Sequence, residues 1–324
     1  MNRTGAVIVT YNSGREIGRC LDSLPAGLDV VVVDNASEDQ TRAEVLRRPR
    51  ARLIANAWNR GFAAAANQGI GALDCACVLL LNPDIEWISG MDALAAECEK
   101  DGVAAASGKL IGDDARPQLG FMVRRFPTPA ALAFEVTGLN RLWPGNGVNR
   151  RYRCHDFDAD AAQTIEQPPG AALMIRRDAW RKLGGFDESF HPLWFEDVDF
   201  LKRAASAGYV AKYVPAAVAA HKGGHSVSQI PAAARELYWY GNLLTYGVRH
   251  FSRAGRLAVC SAVMLGSVIR AATGIIRSES FKPVVIYARV FRAAVSHLLR
   301  GRGGAQRVFF AHVHNSWPLL ISSR

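Results

Sequence analysis

The stretch DVVVVD, Asp29–Asp34, sets four valines in unbroken succession between two aspartates. A strand with one wet face alternates apolar and polar residues. An uninterrupted β-branched run predicts a strand covered on both faces, the situation of a parallel sheet flanked by helices. The neighbouring segments repeat the theme. GAVIVT (5–10), ARLIAN (51–56) and CACVLLLN (75–82) read as further buried strands. Between them, Ile17, Leu21 and Leu24 fall at helical spacing, and the alanine-rich GFAAAANQGIGAL and the later GMDALAAECEK read as helices. Strand alternating with helix predicts right-handed βαβ units. Ligands in such sheets bind beyond the carboxyl ends of the strands. Polar loops follow each of these strands: TYNSG, DNASEDQT, NAWNRGF and NPDIEW. Residues 110–165 are less regular; the strand-like GAALMI (170–175) and a short helix ended by Gly184–Gly185 come next.

Charge divides the chain of 324 residues near residue 231. The net charge is +10, yet residues 1–231 carry 26 Lys+Arg against 27 Asp+Glu, and residues 232–324 carry 13 against only Glu236 and Glu279. The tail interleaves its arginines with apolar runs. Its uncharged stretch between Arg256 and Arg270 is 13 residues, whereas a spanning helix needs about 20. An amphipathic segment on an anionic membrane surface fits that pattern; a packed helical subdomain with a basic solvated face is the alternative. Nucleic acid is not an expected partner, because no RNP-like aromatic-basic platform occurs. Six scattered cysteines without a CxxC pair, and no signal peptide, predict reduced thiols in the cytosol. The first strand is followed by TYNSGREIG, which lacks GxGxxG, and GVAAASGKL has leucine where a P-loop needs Ser or Thr.

Several loop residues have chemistry to offer. Asp34 closes the valine strand, where a carboxylate can accept from a base N–H or a ribose hydroxyl, or cap the turn that follows. Asp84, in NPD after a buried strand, could hold a hard divalent cation if a diphosphate supplies the other oxygens; Asn-Pro-Asp is also a good turn. His221 in HKGGHS could complete the cation's shell or be structural, with Gly223–Gly224 allowing close approach of phosphate or merely turning the chain. LWFEDVDF (193–200) places Glu196, Asp197 and Asp199 among aromatics. An aromatic setting raises a carboxylate's pKa and makes it a better base near neutrality. Asp197 is the candidate base, with Trp194 and Phe195 as a sugar-stacking wall. A helix cap is the competing role for Glu196–Asp197.

Taken in order, VIVTYN with VVVVDNASEDQT, NRGFAAAANQGI, LLLNPDIEW, the segment from GAALMI to FEDVDF, and HKGGHS resemble the family 2 glycosyltransferases of GT-A fold, closest to the rhamnosyltransferase type that builds cell-surface polysaccharide. The likeness spans about residues 5–230. It implies an α/β fold with a mainly parallel Rossmann-like sheet and flanking helices: a GT-A domain over 1–231, with a nucleotide half to about 110 and an acceptor half over 111–231, followed by the basic helical tail of 232–324. It implies that Thr10, Tyr11 and Asp34 hold the base and ribose, and that Asn59, Arg60, Gly61, Asn67 and Asn82 lie near the nucleotide and diphosphate. Asp84 and His221 would ligate Mg²⁺ or Mn²⁺, Asp197 would be the general base, and Glu196, Trp194, Phe195, Gly170 and Ala171 would lie along the acceptor. Asn82 departs from the family's D-x-D, removing one negative charge near the cation. The implied reaction is an inverting transfer from a nucleotide-sugar, dTDP-rhamnose favoured, to a glycan or polyprenyl-diphosphate-linked acceptor at the cytoplasmic face of the membrane. An inactive nucleotide-sugar-binding or scaffold protein of the same fold is the alternative.

Overall fold

The computed structural model describes residues 4–223 and 230–300. Gly224 and the rest of HKGGHS, and the tail beyond residue 300, lie outside the described residues. The chain divides into two units: one reaches Phe126 and includes Arg151–Ile230, the other contains Pro127–Arg150 and runs on from Pro231. Residues 127–150, which the resemblance assigns to the acceptor half, therefore belong to the same unit as the C-terminal helices. Ala131, Leu132 and Val136 of that excursion are buried, as are Leu243, Val259 and Val263 of the helices that follow.

The first unit is built on a nine-stranded sheet. Its strands are β1 (Thr4–Thr10), β2 (Asp29–Asp34), β3 (Ala51–Ala55), β4 (Cys77–Leu81), β5 (Ile85–Ser89), β6 (Val103–Ile111), β7 (Gln163–Ile165), β8 (Ala172–Arg176) and β9 (Val210–His221). The order is β3-β2-β1-β4-β8-β6-β9-β5, with β7 also paired to β9. The parallel expectation holds across β3-β2-β1-β4. Beyond β4 the sheet is mixed, because β8 runs antiparallel to both β4 and β6, while β6 and β9 are parallel. Val30–Val33 are fully buried, as a strand covered on both faces must be. The first-unit helices are α1 (Ile17–Ser23), α2 (Thr41–Leu46), α3 (Phe62–Ala72), α4 (Met91–Cys98), α8 (Arg177–Lys182) and α9 (Glu196–Ser206). The alanines of α3 let it lie close to the sheet. A Cβ at Gly69 would stand 2.5 Å from Val7 Cγ1, so only glycine permits that approach.

Strand direction and register set one common edge. Thr10 pairs with Asp34, Asp34 with Ala55 and Ile8 with Leu81, so the first four βα loops emerge together. Leu81 pairs with Ala172, which brings the start of antiparallel β8 to the same edge. His221 ends β9 there too, opposite Ile85 of β5.

The second unit contains α5 (Pro129–Thr137), α6 (Leu139–Leu142) and three longer helices, α10 (Ala232–His250), α11 (Arg253–Ser278) and α12 (Lys282–Arg300); α7 (Gly147–Tyr152) straddles the unit boundary. Thr128 caps α5 by accepting from Ala131 N, with Pro129 opening the helix, and Ser252 caps α11 by accepting from Gly255 N. Val259, Cys260, Ala262, Val263 and Gly266 form the buried face of α11, while Leu257, Leu265, Val268 and Ile276 on it are exposed. Among the described residues, α11 is the one helix long and apolar enough to cross a membrane.

Candidate active site

At the β2 end of this edge the polar groups bond to one another. Asp34 is fully buried. Its Oδ1 accepts from Thr10 Oγ1 at 3.1 Å and from Ser37 Oγ; its Oδ2 accepts from Ser37 N at 3.1 Å and Arg42 Nε at 2.6 Å. A carboxylate offers about four acceptor positions, and all are taken. Next to it, Asn35 Oδ1 accepts from Asn56 Nδ2 at 3.0 Å and Arg60 N at 3.1 Å, while Asn35 Nδ2 donates to Gly61 O at 3.1 Å. Asn59 Oδ1 accepts from Gly61 N at 2.9 Å. Gly61 has φ of 83°, and a Cβ there would meet His191 Nδ1 at 2.6 Å, so glycine is required both conformationally and sterically. Tyr11, directly after β1, is half-buried.

Every acceptor position of Asp34 is thus used within the loop group. The amide of Asn67 is likewise engaged within the protein. Its Oδ1 accepts from Phe186 N at 2.9 Å and Trp180 Nε1 at 3.2 Å, and its Nδ2 donates to Phe186 O at 2.8 Å. It clasps helix α3 to the segment that precedes LWFEDVDF.

At the β4 end the polar groups are incompletely matched. Asn82 O accepts from Ile85 N at 3.3 Å, so NPD does form a turn. The β5–β9 pairing sets His221 beside that turn. His221 Nε2 lies 3.8 Å from Asp84 Oδ2, too far for a hydrogen bond, and Asp84 Oδ1 is buried with no partner among the described residues. Gln118 holds the other side of the ring: its Oε1 is 2.8 Å from Nδ1, and its Nε2 donates to His221 O at 2.8 Å. Phe121 stacks on the imidazole at 4.8 Å. Burial lowers the His221 pKa, opposed by the Asp84 charge, which favours a neutral imidazole. The two facing acceptor atoms and the orphaned carboxylate oxygen fit a divalent cation with an O,N donor pair whose remaining ligands come from elsewhere. Among the described residues, no third His, Cys, Asp or Glu joins them.

Asp197 belongs to the same edge. Asn82 N donates to Ala171 O at 2.8 Å, and the adjacent Gly170 N donates to Asp197 Oδ2 at 2.7 Å. Two hydrogen bonds thus tie the Asp84 turn to the Asp197 carboxylate. Asp197 Oδ1 accepts from Val198 N at 2.8 Å, and a Cβ at Gly170 would stand 3.3 Å from the carboxylate. Burial raises the Asp197 pKa, opposed by the Gly170 and Val198 N–H groups and by Arg124. Glu196, 6% exposed, has an Oε2 without a partner among the described residues. Burial, then the Asp197 charge, pushes its pKa well above the ordinary carboxylate range. Asp199 is instead paired with Arg203 at 2.7 Å. Trp194 and Phe195 both have positive φ, 78° and 72°, each costing roughly 1–2 kcal/mol in a non-glycine residue. That double reversal starts α9 immediately at Glu196, so the acids share its first turn and its positive dipole end.

Sequence reasoning did not single out Asn35, Arg42, Asn56, Arg124, Gln118 or Phe121. Gln118 carried no signal at all: PQLGF reads as an ordinary loop, and only the return of the chain after β6 brings it to β9.

Residues 6–179 match the family described as Glycosyl transferase family 2. The chain is 29% identical over 290 residues to N-acetylglucosaminyl-diphospho-decaprenol L-rhamnosyltransferase of Mycobacterium tuberculosis, covering 82% of this chain and 93% of that protein. It is 26% identical over 351 residues to the pre-mycofactocin glycosyltransferase of the same organism, covering 97% of this chain and 65% of that one. Among solved structures it superposes on a mannosyltransferase from Pyrobaculum calidifontis in complex with GDP-Man and Mn²⁺, with a TM-score of 0.51, 20% identity, and 92% and 87% of the two chains covered.

Proposed function

Because this chain belongs to glycosyl transferase family 2 and is a glycosyltransferase, we propose that it moves a sugar from a nucleotide-sugar, dTDP-rhamnose favoured, to a hydroxyl of a polyprenyl-diphosphate-linked acceptor, with inversion. The observation that carries this reading is the one sheet edge shared by Asp84, His221 and Asp197: the Asp84 turn is tied to Asp197 through Asn82, Ala171 and Gly170, and Asp84 faces His221 across 3.8 Å. The acceptor class is supported by the relative that acts on a decaprenol-linked sugar.

In this mechanism the Asp197 carboxylate takes the proton of the acceptor hydroxyl as its oxygen bonds to the anomeric carbon. The bond from that carbon to the nucleoside diphosphate breaks on the opposite face. The Gly170 and Val198 N–H groups hold the carboxylate in place, and its raised pKa suits a base. Asp84 and His221 would hold Mg²⁺ or Mn²⁺, which when bound offsets the charge of the departing diphosphate. Trp194 and Phe195 wall the acceptor side. Asn59, Arg60 and Gly61 shape the nucleotide end, with Thr10 and Asp34 as its buried support.

The second unit supplies membrane association. Its exposed Leu257, Leu265, Val268 and Ile276 run along one stripe of α11, with Phe281 and Val285 also exposed after it. Arg253, Arg256, Arg270 and Arg277 interrupt α11, an arrangement suited to lying on an anionic bilayer at its cytoplasmic face.

The test is to offer dTDP-, UDP- and GDP-sugars with a synthetic polyprenyl-diphosphate acceptor and analyse products by mass spectrometry and NMR. Transfer with inverted anomeric configuration from dTDP-rhamnose is expected. Donor binding without transfer to any acceptor would favour the inactive alternative. Retention of configuration would remove Asp197 as the base. Anionic vesicles should sediment the full chain, and serine at Leu257, Leu265 and Ile276 together should release it.

A further inference from the structure

The amide of Gln118 decides which nitrogen of His221 carries the proton. A main-chain carbonyl can only accept, so the amide atom 2.8 Å from His221 O must be the NH₂ group. The atom of the same amide that faces His221 Nδ1, also at 2.8 Å, is then the carbonyl oxygen, which likewise can only accept. Nδ1 must therefore donate, and the neutral ring is the Nδ1–H tautomer. Its Nε2 carries a lone pair toward Asp84 Oδ2, 3.8 Å away. Phe121, stacked at 4.8 Å and 15°, restricts rotation of the ring away from this arrangement. Two lone pairs facing each other across a gap too wide for a hydrogen bond repel until a cation enters between them.

We propose that Gln118 is a positioning residue that locks the His221 tautomer and ring orientation and so readies the Asp84–His221 pair to receive a divalent cation. The inference rests on the reading of Asp84 and His221 as the cation's protein ligands. Gln118 touches neither donor nor acceptor in this role; it acts through the histidine, as partners of metal-binding imidazoles do.

The metal-free protein tests it first. Long-range ¹⁵N–¹H NMR at mildly alkaline pH reports the tautomer of each histidine, with the His221 signals assigned by their loss in His221→Asn. Wild type is expected in the Nδ1–H form. In Gln118→Leu the ring is expected to populate both tautomers. Gln118→Glu, which keeps an acceptor for Nδ1, is expected to retain the wild-type tautomer. Manganese chloride alone, titrated with EPR detection of free Mn²⁺, supplies the second readout: Gln118→Leu should weaken binding by about 10- to 100-fold, and Gln118→Glu should weaken it less. Asp84→Asn separates the two levels of inference. If it leaves Mn²⁺ binding intact, the cation reading fails. If it abolishes binding while wild type shows the Nε2–H form, or while Gln118→Leu changes neither tautomer nor affinity, the cation reading stands and the role of Gln118 is overturned. The wild-type spectrum decides the matter even if the leucine variant does not fold.

Discussion

The two ends of the sheet's carboxyl edge treat their buried acids in opposite ways. At the β2 end every acceptor position of Asp34 is filled by Thr10, Ser37 and Arg42. At the β4 end Asp84 and Glu196 each keep a buried oxygen with no partner among the described residues. An unsatisfied buried polar atom costs about 1–3 kcal/mol, a cost that a bound cation or acceptor group would relieve at Asp84 and Glu196. Under the proposed function the difference separates a frame from a set of reacting groups: Asp34 would shape the nucleotide end by holding loops together, and Asp84, Glu196 and Asp197 would meet the cation and the acceptor.

The comparison is tested hardest at Asp197. Asp197→Asn keeps the shape and can still accept from Gly170 or Val198, but it cannot take a proton. A loss of about 10²- to 10⁴-fold in kcat is expected, with donor KM little changed, read from release of nucleoside diphosphate in the presence of acceptor. A raised pKa also has a sign: the base works only when ionised, so kcat/KM should fall on acidification at a pH above the ordinary aspartate value of about 3.9. If the asparagine enzyme keeps its rate, Asp197 belongs to the frame.

Asp34→Asn examines the opposite end. The buried donors of Thr10 and Ser37 would meet one acceptor atom where there were two, at a cost of about 1–3 kcal/mol. The Arg42 ion pair adds little, since that side chain is 42% exposed. Thermal melting should fall by about 2–4 °C per kcal/mol, with nucleotide affinity dropping only in step with the loosened loop. Unchanged melting together with abolished nucleotide binding would break the comparison, because Asp34 would then be a direct ligand after all.

Much of the frame was legible because it follows from local pattern. The valine run fixed a doubly covered strand, and its alternation with helices fixed the parallel half of the sheet and the edge at which its loops gather. Asp84, Asp197 and His221 were legible as candidates since each follows or interrupts an apolar run. What could not be read depends on long-range register. β8 inserts antiparallel between β4 and β6, and nothing in GAALMI announces its direction. Asn67 looks like any helical amide until Trp180 and Phe186 close on it. Gln118 acquires a role only because Ile111 and Ala220 are paired, which lets the loop after β6 turn back onto His221. The saturation of Asp34 was equally hidden, since Arg42 and Ser37 gain meaning only from where their side chains reach.

The smallest effect bears on Glu196 and sharpens the contrast through stability alone. Its folded-state pKa is raised by burial and by Asp197. Such a group contributes stability below its unfolded pKa, near 4.3, and that contribution is lost as pH rises through the folded value. Glutamine cannot titrate, so Glu196→Gln should melt like wild type in acid. At neutral pH it should melt higher, by about 1 kcal/mol or about 2–4 °C. Calorimetry across pH reads this directly. A gain that grows with pH marks Glu196 as an acid held at a loss for the sake of the site. A loss at neutral pH would mean that its ionised form is matched by a partner, which would move Glu196 into the same class as Asp34.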